Sequence, residues 1–253
     1  MPRITEIQHS SHPHQLILTR AETPYHCNGC QELGFDPCYQ CNERQCNFHL
    51  HEECAAANHT STNHPFITGG RFVLSSEELQ LIFCKVLNGS RSIGSCVACG
   101  KGVQGYRYQS LCEKAYVLHP CCLNLPRTMT NNEVSLILQK KAPSKCLKCQ
   151  RKKVSDNIKG WAYVSTCGNY CYHVKCVKEL ILEKWREVYF RDQSNDQGNQ
   201  DTLHLVVEHG NLTGRRARRI DLSKIKAVLE LIVSAIFGNV VSAVIGGLLL
   251  PLF

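Results

Sequence analysis

The sequence has few of the residues that build one large hydrophobic core. Aromatic residues make up only 8% of the chain, with two Trp, and the apolar residues are scattered among Cys and His. This pattern excludes a single large core in a chain of 253 residues and favours several small modules. Two residue types are abundant instead: there are 17 Cys and 12 His.

Catalytic signatures are also missing. The sequence has no H-E-x-x-H motif, no H-x-E…P-C-x-x-C deaminase motif and no glycine-rich phosphate-binding loop. A zinc enzyme needs an open metal position beside a general base. We therefore predict a protein without catalytic residues or enzyme activity.

The first residues, MPRITEIQHSSHPHQ, lack the apolar segment of a signal peptide. We therefore expect an intracellular protein in a reducing compartment, in the cytoplasm or on the cytoplasmic face of an endomembrane. In such a compartment cysteines act as metal ligands more often than they form disulfides.

The net charge of +8 treats every Cys as neutral. A zinc site with three thiolates and one His carries a charge of about −1, so metal binding lowers the total. In addition, the basic residues are not interleaved with aromatic residues in a repeating way. We therefore do not predict a nucleic-acid partner or a small-molecule substrate.

One ligand pattern occurs three times. Each repeat has a C-x₂-C pair, then 20, 19 or 23 intervening residues, then an H-x₂-C pair. Tetrahedral Zn²⁺ takes four nitrogen or sulfur ligands, and a two-residue gap lets one tight turn supply two of them. The pattern predicts three structural zinc sites: Cys27, Cys30, His51 and Cys54; Cys96, Cys99, His119 and Cys122; and Cys146, Cys149, His173 and Cys176.

The first repeat contains further candidate ligands. A histidine precedes its C-x₂-C pair, a C-x₄-C pair lies between the two ligand pairs, and a histidine follows them. These residues are His14, Cys41, Cys46 and His64, and they could form a second, interleaved zinc site.

The segments HSSHPHQLIL, YHCNGCQELGF, CYQCNERQCNFHLHEECA and NHPF resemble the plant Cys/His-rich divergent C-one domain. That domain is a distant relative of the phorbol-ester/diacylglycerol zinc finger of protein kinase C. The resemblance extends over residues 9–190. This segment as a whole is similar to the three-module plant proteins of the VACUOLELESS GAMETOPHYTES-like kind. The resemblance implies two zinc ions in the first module, whose ligands alternate along the chain. It leaves His59 as an alternative to His64 for the last ligand of the second site.

The later repeats depart from this pattern. In the second, Lys114 occupies the position of a ligand, and Cys112 is one residue out of register; Cys84 and Cys121 are possible replacements. In the third, Cys167 and Cys171 have altered spacing. We therefore expect about four structural Zn²⁺ per chain, two in the first module and one in each of the others.

These observations predict small zinc-stabilised α+β modules: three tandem divergent C-one-like fingers, each with short strands and a short helix, and an apolar C-terminal helix. Leu16–Leu18 and the segment around Tyr106–Tyr108 are expected to be strands, and a helical periodicity follows Cys176. The predicted segments are a first module at 9–66, a degenerate second module at 67–127, a third module at 128–191 that ends in an amphipathic helix, a polar and basic linker at 192–224, and the helix at 225–253.

The C-terminal segment permits two interpretations. No charged residue follows Glu230, and the remaining 23 residues are long enough to span a bilayer. The basic cluster Arg215–Lys226 would suit an anionic membrane surface. Alternatively, the helix packs against the modules or against another copy of the chain.

Three functions are compatible with the sequence. The first is a non-catalytic interaction or signalling protein whose zinc modules bind protein partners, with possible membrane association through the tail. The second is a lipid-responsive protein of the diacylglycerol-binding type, although QELGFDPCYQ, between Cys30 and Cys41, lacks the lipid-binding loop pattern. The third is a variant RING ubiquitin ligase, which is disfavoured because no Cys follows Cys176.

Overall fold

The structure is a computed structural model of the chain. It describes residues 5–21, 23–35, 37–56, 60–61, 66, 81–84, 94–110, 116–193 and 222–237. The chain forms two compact units, Met1–Leu125 and Pro126–Phe253. The first unit contains the first and second repeats, and the second unit contains the third repeat and the C-terminal helix.

The first repeat is built from short strands followed by one turn of helix. Its elements are β1 (Glu6–Gln8), β2 (Gln15–Thr19), β3 (Tyr25–His26), β4 (Leu33–Gly34), β5 (Cys38–Cys41), β6 (His49–His51) and α1 (Glu52–Ala55). Strands β1, β2, β5 and β6 form an antiparallel sheet in that order, and β3 pairs with β4 as a separate hairpin. The expected strand at Leu16–Leu18 is part of β2.

The second repeat has the same plan. Its described elements are β7 (Thr60–Ser61), β8 (Leu81–Cys84), β9 (Arg107–Ser110), β10 (Val117–Leu118) and α2 (Pro120–Leu123). The sheet order is β10-β9-β8-β7, and every pair is antiparallel. Strand β7 lies before residue 66, so the sheet of the second repeat begins inside the segment that the ligand spacing assigned to the first module.

The third repeat forms the second unit's sheet. Its elements are β11 (Thr128–Thr130), β12 (Ser135–Gln139), β13 (Ala162–Ser165), β14 (Cys171–His173) and α3 (Val174–Gln193). The strand order is β11-β12-β13-β14, again antiparallel throughout.

Burial alternates along β11 and β12 of the third sheet, whereas β13 and β14 are buried throughout. Along β12, Leu136 and Leu138 are buried, whereas Ile137 between them is 43% exposed. Successive side chains of a strand point to opposite faces, so one face of β12 contributes to the core. Trp161 and Tyr163 are also buried there, and the Tyr163 hydroxyl donates a hydrogen bond of 2.9 Å to the Pro126 carbonyl oxygen.

Two longer helices belong to the second unit. Helix α3 starts directly after β14, and Val177 and Ile181 on it are buried. Helix α4 (Leu222–Phe237) buries Val228 and Ile232. The predicted apolar helix continued to residue 253, but residues 238–253 lie outside the described part of the chain, as do Arg215–Arg219. Among the described helices, none has both the length and the apolar character that crossing a bilayer requires.

Candidate metal centres

Each C-x₂-C pair forms the same turn. The fourth residue after the first Cys donates its backbone N–H to the carbonyl oxygen of that Cys, at 2.9 Å for Gln31, 2.7 Å for Gly100 and 2.9 Å for Gln150. These three residues have φ angles of 61°, 75° and 55°. Such left-handed backbone is uncommon for glutamine. Its presence in two of the three turns shows how closely the local geometry is repeated.

The strand before each histidine is tied to its turn by one backbone hydrogen bond. The residue after the first Cys of the turn donates to the residue two positions before the His: Asn28 to His49 at 2.8 Å, Val97 to Val117 at 3.0 Å, and Leu147 to Cys171 at 2.9 Å. The His ends or follows the last strand of the sheet, and the last Cys lies in the first turn of the next helix. Turn, strand and helix thus bring four ligands together.

Three four-residue clusters result, each with three Cys and one His. In each cluster the candidate ligand atoms lie within 4.8 Å of one another. All members are buried except Cys149, which is partly buried. The clusters are Cys27, Cys30, His51 and Cys54 (cluster 1); Cys96, Cys99, His119 and Cys122 (cluster 2); and Cys146, Cys149, His173 and Cys176 (cluster 3).

In cluster 1, Nδ1 of His51 points at the thiols. It lies 3.3 Å from Cys30 Sγ and 3.8 Å from Cys54 Sγ, and the His51 backbone N–H donates to Cys27 Sγ at 3.4 Å. Burial raises the pKa of Cys27, but hydrogen bonds from the other cluster members outweigh it and hold that pKa far below the usual range. Burial lowers the pKa of His51, whereas its hydrogen bond with Cys27 raises it to about 9. Both shifts favour the charged forms, a thiolate at Cys27 and an imidazolium at His51.

Cluster 2 has the same arrangement. Nδ1 of His119 lies 3.5 Å from Cys99 Sγ and 3.8 Å from Cys122 Sγ. The hydrogen bond from Cys122 holds the pKa of Cys99 well below its usual range. Burial opposes protonation of His119, but hydrogen bonds with the thiols raise its pKa to about 11.

In cluster 3, Nδ1 of His173 lies 3.3 Å from Cys149 Sγ and 3.9 Å from Cys176 Sγ. The His173 backbone N–H donates to Cys146 Sγ at 3.4 Å, as in cluster 1. The hydrogen bond from Cys176 contributes most to lowering the pKa of Cys146 to about 3. In each of the three clusters one cysteine thus has a pKa that is held below its usual range.

A fourth cluster lies beside β2 and β5 in the first repeat. It consists of His12, His14, Cys41 and Cys46, whose candidate ligand atoms also lie within 4.8 Å of one another. His12 Nε2 is 3.5 Å from Cys46 Sγ, and His14 Nδ1 is 3.6 Å from Cys41 Sγ. The His12 ring also stacks on Phe48, with 4.2 Å between ring centroids.

The structure brings fifteen of the sixteen sequence-predicted ligands together in four groups. His12 takes part in the fourth group and was not predicted. His64, the predicted closing ligand of that group, and its alternative His59 lie outside the described residues. The sequence signal for His12 was the H-P-H triplet, which places two imidazoles next to each other in the chain.

The remaining described cysteines lie outside these clusters. Cys171 is buried in a small apolar cluster with Ala142, Ala162 and Val164. Cys167 is exposed, with its Sγ 3.2 Å from Ser165 Oγ. Cys38 is buried in the core that surrounds cluster 1, and Cys121 packs against that core. Cys112 and Lys114 lie outside the described residues, and of Cys84 only the backbone is described.

The donor atoms fit zinc. Three sets of Cys₃His and one set of Cys₂His₂ are the ligand combinations that tetrahedral structural Zn²⁺ uses. Each of the four clusters could bind zinc, in agreement with the expected content of about four Zn²⁺ per chain.

The comparison with protein families agrees with the geometry of the first repeat. The family model of the C1 domain matches residues 10–55. This segment contains both clusters of the first repeat and forms a C1-like Cys/His zinc finger, a zinc-binding module. No curated protein and no solved structure shows significant similarity to the chain.

Proposed function

We propose that the chain is a zinc-stabilised, non-catalytic interaction protein built from three tandem C1-like modules and a C-terminal helix. The family match covers only the first repeat. Support for the other two is the repeated local geometry: the same turn, the same hydrogen bond from turn to strand, and the same position of the last Cys in the following helix. This three-module arrangement also favours a relationship to the plant VACUOLELESS GAMETOPHYTES-like proteins.

The observation that carries the non-catalytic role is the composition of the buried clusters. Each supplies four protein donors, which leaves no open position for a water or a substrate. The described strands have two to five residues, and repeats this small bury only a limited fraction of their apolar surface. Structural zinc contributes about 10–16 kcal/mol of apparent binding free energy, which becomes folding free energy.

The zinc role is tested on the full chain by native mass spectrometry and near-ultraviolet circular dichroism. We expect about four zinc ions, lost together with tertiary structure when a chelator is added. Cys146→Ser should lower the count by one and unfold the third repeat, whereas Cys171→Ser, which changes a thiol outside the clusters, should keep the count. A folded protein with no zinc would contradict the proposal.

The interaction role means that the rigid modules present their surfaces to protein partners within a reducing intracellular compartment. Proximity labelling from the full chain, compared with the Cys146→Ser variant, tests it. Partners recovered only with the zinc-loaded chain would support the proposal. Identical recovery with both chains would argue against recognition by the third module.

A second candidate is binding to an anionic membrane surface, and one observation favours it. The loops on both sides of the Cys146 turn carry exposed basic side chains with a single acidic residue, Asp156, among them. These side chains belong to Lys140, Lys141, Lys145, Arg151, Lys152, Lys153 and Lys159. Each basic group near an anionic bilayer contributes about 1 kcal/mol of attraction.

Co-sedimentation with vesicles tests the membrane candidate and locates the surface. Phosphatidylcholine vesicles with and without phosphatidylserine would be compared at low and high salt. Loss of binding in the Lys152→Glu/Lys153→Glu double variant points to the third repeat, and loss in Arg215→Glu/Arg216→Glu points to the tail. Arg44→Glu, an exposed change in the first repeat, is the control. Equal binding to both vesicle types would reject this candidate.

A further inference from the structure

The first and second repeats meet beside clusters 1 and 2. The backbone N–H of Tyr106 donates to the Gly29 carbonyl oxygen at 2.8 Å, so the second repeat rests on the C-x₂-C turn of the first. The side chain of Cys121, next to the ligand Cys122, packs against the core that contains Cys27, Cys30 and Cys54. The two clusters are thus part of one packed unit.

Glu32 lies at this contact and is a buried carboxylate of the first repeat. It is 7% exposed, and its Oε2 accepts a hydrogen bond of 3.2 Å from Lys101 Nζ of the second repeat. Its other oxygen, Oε1, lies 3.8 Å from Nε2 of His119, a residue with no exposed surface. Within the described part of the chain, that Nε2 has no hydrogen-bond partner.

The tautomer of His119 follows from its surroundings. Its Nδ1 faces Cys99 and Cys122, so Nδ1 must be unprotonated when a metal is held there, and the single ring proton is then on Nε2. A carboxylate that faces the N–H of a metal-bound histidine fixes the ring orientation and raises its basicity as a ligand. Glu32 is the carboxylate in that position.

The geometry points to Glu32 as a positioning residue for the zinc site of cluster 2, so that the first repeat supplies part of the outer shell of the second repeat's metal site. The consequence is coupling between the repeats. If the first repeat unfolds, the Glu32 carboxylate no longer lies beside His119, and cluster 2 then binds zinc more weakly. The inference rests on the proposed zinc-binding function of clusters 1 and 2.

Two substitutions separate this role from a general role in holding the repeats together. Glu32→Gln keeps the shape of the side chain and a hydrogen-bond acceptor for Lys101 but removes the charge that faces His119. Lys101→Met breaks the ion pair while it leaves the carboxylate beside the imidazole. Glu32→Asp keeps the charge and serves as the conservative variant.

The measurement is zinc release from the full zinc-loaded chain to a chromogenic chelator, together with the number of ions by native mass spectrometry. In Glu32→Gln we expect one zinc to be released about 10–100 times faster than in wild type, with the others unchanged. Glu32→Asp should release zinc at close to the wild-type rate, and Lys101→Met should also differ little from wild type. The His119 Nε2–H resonance, seen by ¹⁵N-edited nuclear magnetic resonance, should shift in Glu32→Gln alone.

The possible outcomes are distinct. If Glu32→Gln releases zinc at the wild-type rate, or if Lys101→Met has an effect as large, the positioning role is wrong while the zinc sites stand. If Cys96→Ser fails to lower the zinc count of the full chain, cluster 2 holds no metal, and the proposed function of the second repeat is wrong as well.

Discussion

The carbonyl oxygen of Gly29 accepts the backbone N–H of Tyr106 at 2.8 Å, which joins a ligand-bearing turn of the first repeat to the second repeat. The approach is close because both contacting segments contain glycine. A Cβ built on Gly105 would lie 2.0 Å from that same carbonyl oxygen, and one on Gly29 would lie 2.8 Å from the Tyr106 ring. Backbone atoms cannot move aside as the end of a flexible side chain can, so Gly105 is the stricter requirement.

The contact predicts that Gly105→Ala destabilises the first unit. The added methyl group cannot fit without separating the two repeats, and overpacking of this kind costs about 1–3 kcal/mol. Urea denaturation of the zinc-loaded chain measures the change. The neighbouring exposed residue provides the control, since Gln104→Ala should change the free energy of unfolding by less than about 0.5 kcal/mol. Equal stability of both variants would show that the repeats do not pack as described.

The fourth cluster predicts that His12 is a zinc ligand. Since His12, His14, Cys41 and Cys46 already supply four donors, His12→Ala should lower the zinc content of the full chain by one. His64→Ala should leave the content unchanged. Native mass spectrometry decides between them, with the exposed His26→Ala as a control for the loss of an imidazole. The opposite result would return His64 to the site, in line with the sequence resemblance.

Among the cysteines whose side chains the structure describes, the exposed Cys167 should be the first to react with an alkylating reagent in the zinc-loaded chain. The hydrogen bond from Ser165 lowers the pKa of Cys167, and a thiolate reacts where a thiol does not. The labelling rate should rise with pH, and Ser165→Ala should move the rise to higher pH and slow labelling several-fold near neutrality. Peptide mapping after iodoacetamide treatment measures this, with the exposed Ser155→Ala as control. Faster labelling of any cluster cysteine would mean that its site is not filled.

Zinc uptake by cluster 1 should release protons at neutral pH. The chelator-stripped chain is expected to be unfolded, so its cysteines are protonated at pH 7, because a free thiol has a pKa of about 8.5, and each must lose its proton before it can bind a metal. Affinity should therefore increase as the pH rises toward 9 and decrease in acid. Calorimetric titrations of the chelator-stripped chain in two buffers of different ionisation enthalpy give the number of protons released. A heat independent of the buffer would contradict the prediction.

The ligand spacing was sufficient to group most of the cluster residues, because a turn that supplies two ligands needs a fixed number of residues. The H-x₂-C spacing works for the same reason: it joins the end of a strand to the first turn of a helix, as at His51 and Cys54. Such local geometry is encoded by neighbours in the chain.

Features that depend on distant pairing could not be read in this way. Strands β7 and β8 pair with each other although they lie on opposite sides of the expected module boundary at residue 66. Ligand spacing carries no information on sheet register. The contact of Glu32 with Lys101 joins residues 69 positions apart. His12 was missed because the resemblance assigns only one histidine to that part of the chain, and Cys171 looked like a candidate ligand although its side chain faces an apolar cluster.

The position of the last ligand of cluster 3 has a mechanical consequence. Cys176 lies in the first turn of α3, and the buried Val177 and Ile181 follow it on the same helix. A force applied to the chain beyond Gln193 would strip α3 from its far end inward, past Ile181 and then Val177. With zinc bound, the zinc–thiolate bond at Cys176 would be the next restraint on that path, so the load that the third repeat withstands depends on whether its metal is bound.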